Sequence, residues 1–207
     1  MVTRHQAGRE AEAGGRMSRL ELTRRLVSRL DAGEAIVAGI GNTNFDLAAA
    51  AKERPQNFYM MGSMGLATSI ALGVALARPE RRVFALEGDG SLLMNLGALS
   101  TVAFRAPENL TIVVWDNGVY KMTGSQPTAT QYGSDLVAAA RAAGIEHSQW
   151  VRHSEEFEDA VVRALRGPSP ALIGARVIAA ASASHPDFDT VRLKHRFMEG
   201  IGVDDDR

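Results

Sequence analysis

The sequence contains no cysteine. That absence excludes disulfides, cysteine nucleophiles and cysteine-ligated zinc or iron–sulfur centres, and it leaves the compartment open. It has almost no net charge: 23 Lys and Arg stand against 24 Asp and Glu, for a formal −1. No electrostatic argument therefore favours nucleic acid or an anionic membrane surface. There is no apolar run of membrane-spanning length. The most apolar stretch, 66–77, is too short and is interrupted by Thr68 and Gly73. The first residues are polar and lack the apolar segment of a secretory signal, so a cytoplasmic location is the expectation. His5, His147, His153, His185 and His195 show no metal-ligand spacing. No internal repeat is visible.

What is present is an ordinary globular composition, 45% hydrophobic and 23% charged over 207 residues, the size of one domain. Residues 1–16 are polar, rich in Gly and Ala and without apolar period, and read as a disordered extension; 17–203 read as the domain and 204–207 as an acidic tail. Within the domain, strands alternate with helical stretches. Strands are expected over 35–40, 82–86, 110–115, 149–151 and 171–177. Helices are expected over 18–30, 45–52, 66–77, 93–104, 135–142, 154–165 and 193–201. Such alternation argues for a doubly wound α/β domain, a parallel sheet with helices on both faces.

The most informative stretch runs from Gly88 to Tyr120. Gly88-Asp89-Gly90-Ser91 follows one apolar strand, and Asp116-Asn117-Gly118 follows the next. Between them lies the length of one helix and its return. This is a β-turn-α-β unit with two oxygen-bearing side chains at the carboxyl ends of two strands, the edge where open α/β sheets bind ligands. The Asp89 carboxylate and the Asn117 amide oxygen are hard donors that suit Mg²⁺ or Ca²⁺ rather than a thiolate-loving metal. Mg²⁺ held by few protein groups completes its octahedron with phosphate oxygens and water. Gly88, Gly90 and Ser91 leave backbone N–H groups to face an anion. A lone Gly-Asp-Gly is a common turn. Paired with the second turn at this spacing, it reads as a diphosphate–Mg²⁺ clamp.

These residues resemble the signature of thiamine diphosphate-dependent 2-oxo acid decarboxylases and acetolactate-synthase-like enzymes. Asp116-Asn117 stands where that family usually has Asn-Asn, so the second residue of the pair is kept. The resemblance implies Mg²⁺ ligation by Asp89, Asn117 and the backbone carbonyl of Val119, with Tyr120 and Thr123 at the cofactor entrance. A second segment agrees. Gly62-Ser63-Met64-Gly65 opens an apolar helix and is similar to the family's segment along the cofactor's aminopyrimidine. There the Gly62 carbonyl would accept from the exocyclic amine and Met64 would wedge between the two rings. Asn42 and Thr43, in Gly39-Ile40-Gly41-Asn42-Thr43-Asn44, would reach the diphosphate. The alternative role for Met64 is a core methionine filling a gap.

The run 118–130, GVYKMTGSQPTAT, and the ending 192–201, RLKHRFMEGI, resemble the sulfopyruvate and phosphonopyruvate decarboxylase branch. Lys121 replaces that branch's usual glycine, and the loop 181–190 carries no basic residue. Gln126 and His185 have open roles near the substrate end. The resemblance covers only the diphosphate-binding half of the family's two-domain unit. It thus implies a separate pyrimidine-binding partner chain that supplies the catalytic glutamate, in an α₂β₂ or higher assembly. A carboligase, a 2-oxo acid oxidoreductase subunit using the same cofactor, and a non-catalytic scaffold subunit stand as alternatives. A dinucleotide-binding domain would want a third glycine after Gly39 and Gly41.

Overall fold

The computed structural model describes residues 16–203 apart from Ala183. The expected extension, Arg16 aside, and the acidic tail lie outside the described residues. The chain enters through Met17, which bridges to Val177, and Ser18 caps the first helix, α1 (Arg19–Val27), by accepting from Glu21 N at 3.3 Å. Then come β1 (Ala35–Ala38), α2 (Asn42–Ala51), β2 (Asn57–Tyr59), α3 (Ala67–Ala77) and β3 (Val83–Gly88). Two short helices, α4 (Asp89–Met94) and α5 (Ala98–Arg105), lead to β4 (Leu110–Asp116). A small hairpin of β5 (Val119–Tyr120) and β6 (Gln126–Pro127) follows. The chain finishes with α6 (Leu136–Ala142), β7 (His147–Val151), α7 (Ser154–Arg166), β8 (Ala171–Arg176) and α8 (Thr190–Gly200).

The main sheet has six strands in the order β2-β1-β3-β4-β8-β7, every neighbouring pair parallel. The central strands β1, β3, β4 and β8 are mostly apolar because both faces are covered. Alternate residues serve alternate faces. Val37, Ala85, Ile112 and Val114 pack with α3, α5 and α6. Ile36, Phe84, Val113, Trp115 and Ile173 pack with α1, α2 and α7, where the Trp115 and Phe157 rings lie 5.5 Å apart. The expected doubly wound sheet is thus the observed one.

The chain steps from β1 to β2 on one side, then returns across β1 to β3 and continues to β4. The strand order reverses between β1 and β3, which opens a crevice at their carboxyl ends.

Some boundaries differ from expectation, each for a local reason. Strand β2 was not anticipated: three residues beginning with Asn, a weak strand former, carry no period. Asn57 is used for its side chain, which donates to Ala51 O at 2.9 Å. The helix expected over 93–104 starts at Asp89 and is broken at 95–97. There Asn95 Nδ2 donates to Gly65 O at 3.1 Å, a tertiary bond that a continuous helix would not place. Helix α2 starts at Asn42 rather than Phe45, and β7 at His147 rather than Gln149.

Candidate functional site

The crevice between β1 and β3 is a cleft of about 140 Å³. Its walls include Gly41, Asn42 and Thr43 after β1, Met64 before α3, Gly88, Asp89, Gly90 and Ser91 after β3, and Trp115, Asn117, Val119 and Tyr120 on and after β4. Ten of the eleven residues singled out in the sequence therefore converge on one cavity. The exception is Gly62, which is exposed and does not line the cleft. Gln126 is also exposed; its side chain folds back on Thr123, donating to Thr123 O at 2.9 Å. His185 stacks on Phe188 at 5.1 Å and is absent from the cleft wall. Tyr120 and Thr123 are in the wall as expected, joined by Arg19, Lys121 and Met122.

The turn after β3 has its glycines for steric reasons. A Cβ on Gly90 would collide with the Tyr120 ring, which lies across the turn. After β1, Gly41 adopts φ +74° and starts α2 without a side-chain cap, so the first amides of that helix face the cleft. Asn42 Oδ1 instead accepts Ser182 N at 3.1 Å, tying the chain after β8 to the cleft rim. Lys121 fits without glycine's freedom because the sharp reversal falls later, on Gly124 (φ +125°) and Ser125 (φ +60°).

Asp89 is the centre of the site. It is 2% exposed, and its Oδ2 accepts the Thr128 hydroxyl at 2.5 Å and lies 3.2 Å from the Thr130 hydroxyl. Thr130 also approaches Asp116 Oδ1 at 2.8 Å. Each hydroxyl has one proton, so the distances assign Thr128 to Asp89 and Thr130 to Asp116. Two carboxylates thus share one pair of threonines, and among the described residues no cation pairs with either. Burial raises the Asp89 carboxyl to about 6; the Thr128 hydrogen bond opposes the rise and the Asp116 charge adds to it. A hard cation placed here would reverse that penalty. Asn117 Oδ1 accepts Val119 N at 2.8 Å and keeps a second lone pair. The donor types therefore fit a Mg²⁺ ion. Among the described residues there is no group of three or more His, Cys, Asp or Glu that could hold a metal, so a site here would rely on amide and carbonyl oxygens.

The sequence reading missed Thr128, Thr130, Asp116 and Glu87. The hairpin of β5 and β6 brings the threonines back: Thr128 N donates to Gly118 O at 2.9 Å, and Gln131 Nε2 to the same oxygen at 2.8 Å. The alternating Thr128-Ala129-Thr130 was the available signal.

A family model described as thiamine pyrophosphate enzyme, C-terminal TPP binding domain, matches residues 39–175. The chain belongs to the thiamine pyrophosphate enzyme family. It is 39% identical over 184 residues to the sulfopyruvate decarboxylase subunit beta of Methanocaldococcus jannaschii, covering 88% of this chain and 96% of that one. It is 38% identical over 165 residues to the phosphonopyruvate decarboxylase of Streptomyces viridochromogenes, covering 80% of this chain but 41% of that one. In fold it resembles the thiamine diphosphate-dependent 4-hydroxybenzoylformate decarboxylase of Rhodococcus jostii RHA1. The TM-score is 0.68 and the identity 24%, over 80% of this chain and 33% of the other. The family's cofactor is thiamine diphosphate, and the matched segment contains the whole cleft floor from Gly41 to Tyr120.

Proposed function

We propose that this chain is the diphosphate- and Mg²⁺-binding subunit of a two-chain thiamine diphosphate-dependent 2-oxo acid decarboxylase of the sulfopyruvate or phosphonopyruvate type. The observation that carries the reading is the buried Asp89, paired with no cation among the described residues and held by Thr128 in the switch-point cleft beside Asn117. In this reading Asp89, Asn117 and the Val119 carbonyl hold the metal. The amides of Asn42, Thr43 and Gly90 face the diphosphate, and Met64 shapes the bound cofactor. When bound, the cofactor would supply the electron sink for decarboxylation. This chain's residues bind and orient: the Asp89–Asp116 pair sets the local field, Tyr120 covers the turn, and Trp115 closes the floor. No residue here is assigned the proton transfer, which falls to a glutamate of the partner chain.

Support for a partner comes from the surface next to the cleft. Residues 61–77 and 90–104 contain no charged side chain, yet they leave Leu66, Leu76, Met94 and Leu96 exposed and Phe104 84% exposed. A Cβ at Gly73 or Gly97 would meet nothing within 4 Å. A charge-free face of this kind, on α3, α4 and α5, is suited to burial against another subunit. The phosphonopyruvate relative is more than twice as long as its match to this chain, and the rest of such a protein is the kind of partner this face awaits.

The test is Mg²⁺-dependent binding of thiamine diphosphate to the full chain by titration calorimetry. The reading predicts saturable binding that is lost with Mg²⁺ removed and in Asp89→Ala. Equal affinity of Asp89→Ala and the unsubstituted protein would remove the clamp. Release of CO₂ from sulfopyruvate or phosphonopyruvate by the chain with its partner would then identify the acid.

A further inference from the structure

Glu87 precedes the Asp89 turn and has no part in the proposed clamp. It is completely buried, and among the described residues no Lys, Arg or His forms an ion pair with it. Every group around its carboxyl donates. Oε1 accepts Thr68 N at 2.9 Å and the Thr68 hydroxyl at 3.2 Å; Oε2 accepts the Ser91 hydroxyl at 2.6 Å. Thr68 lies in the first turn of α3, so its amide is one of the helix's orphan donors, and the positive end of that helix faces the acid.

The Ser91 hydroxyl has one proton, and Glu87 takes it. Only lone pairs remain on that oxygen, and one of them accepts Gly65 N at 2.9 Å. The loop so held is Ser63-Met64-Gly65. Ser63 adopts φ +58° and Gly65 φ +94°, and a Cβ on Gly65 would lie 3.2 Å from both Ser91 O and Asn95 Cβ. A non-glycine residue in that region is costly and persists only where its surroundings fix it.

We infer that Glu87 and Ser91 form a positioning relay that fixes the Met64 loop against the β3 turn. The Ser91 side chain then serves that loop rather than the diphosphate, and Ser91 offers an anion its backbone N–H alone. This deepens the cofactor reading and rests on it. It predicts that the relay governs how the organic part of the cofactor is held and leaves the grip on the diphosphate largely intact.

The experiment compares two probes on the full chain, thiamine diphosphate and inorganic pyrophosphate, each with Mg²⁺. Ser91→Ala and Glu87→Gln are both tested, because glutamine keeps the shape of the acid but turns an N–H group toward one of its donors. In each variant the affinity for thiamine diphosphate falls about tenfold, the worth of one charge-assisted hydrogen bond, while pyrophosphate affinity changes by less than about twofold. A parallel fall for both probes in Ser91→Ala would place the hydroxyl on the diphosphate and overturn the relay. No fall for either probe would overturn it too. Amide hydrogen exchange of Gly65 in the ligand-free protein gives a second readout, with the sheet amide of Ile112 as the control for an intact fold. Faster Gly65 exchange in Ser91→Ala at constant Ile112 exchange supports the relay; unchanged exchange at both refutes it. Should the unsubstituted protein bind neither probe, the cofactor reading falls, and the Gly65 exchange still decides whether the relay holds the loop.

Discussion

Two cavities in this molecule differ in size and in charge, and the smaller holds the residues proposed for the cofactor. The cleft at the carboxyl ends of β1, β3 and β4 measures about 140 Å³, whereas a groove beside β7, α6 and α7 measures about 680 Å³. The groove is lined by Arg141, Arg163 and Arg166, but Arg141 Nε already donates to Ser148 O at 2.9 Å and Arg163 to Gln149 Oε1 at 3.3 Å. Two of its three arginines are thus used in holding the fold. The cleft instead holds Asp89, backed by Asp116, and among the described residues neither carboxylate has a paired cation. Volume alone favours the groove; unpaired carboxylates at the topological switch point favour the cleft.

Substitutions can break this contrast. Asp89→Ala should weaken Mg²⁺–thiamine diphosphate binding about a hundredfold or more, while Arg163→Ala in the groove changes it by less than about twofold. A large loss from the groove variant would invert the assignment. The next effect is steric: Gly90→Ala forces a methyl group into the Tyr120 ring and should cost about 1–3 kcal/mol of stability, measured by denaturant unfolding. The same change at Gly73, where space is open, should be neutral or stabilising in the lone chain.

The acid cleft should also show in pH dependence. The Asp89 carboxyl titrates near about 6 in the fold against an ordinary 3.8. Between these values the folded chain retains a proton that the unfolded chain releases. The ligand-free protein therefore gains stability from this group as pH falls from 6 toward 4, on the order of 1 kcal/mol per pH unit. Asp89→Asn should remove that slope, and parallel unfolding free energies for the two proteins at pH 4 to 7 would contradict it. Metal binding runs the other way, weakening below about pH 6 as the proton competes. A smaller effect on binding than that of Asp89→Ala is expected from Thr128→Val, which removes the hydroxyl that orients Asp89. Cofactor affinity should fall about tenfold with little change in unfolding cooperativity.

The parts of this site that were legible in the sequence lie close together along the chain. Asp89 and Asn117 terminate adjacent strands of one β-turn-α-β unit, so their spacing fixes their proximity before any tertiary contact is known. Thr128 and Thr130 reach Asp89 from 39 and 41 residues away, through a hairpin of two-residue strands that no hydrophobic period announces. Glu87 was hidden for another reason. A lone acid inside an apolar strand looks like an irregularity until Thr68, Gly65 and Ser91 are seen around it. The large parallel strands declared themselves by continuous apolar runs, while β2, three residues with an Asn at its head, depended on tertiary pairing with β1. Gly62 is expected at the site only by likeness of its segment to the family's aminopyrimidine segment, whereas in that segment the cleft wall starts two residues later, at Met64.

The central claim is a single metal position at the edge of the sheet. Crystals of the full chain grown with thiamine diphosphate and Mn²⁺ in place of Mg²⁺ allow the ion to be located by anomalous scattering. The account predicts one peak about 2 Å from an Asp89 carboxylate oxygen, Asn117 Oδ1 and the Val119 carbonyl. A peak outside this cleft, with Asp89 still bonded only to its threonines, would contradict it.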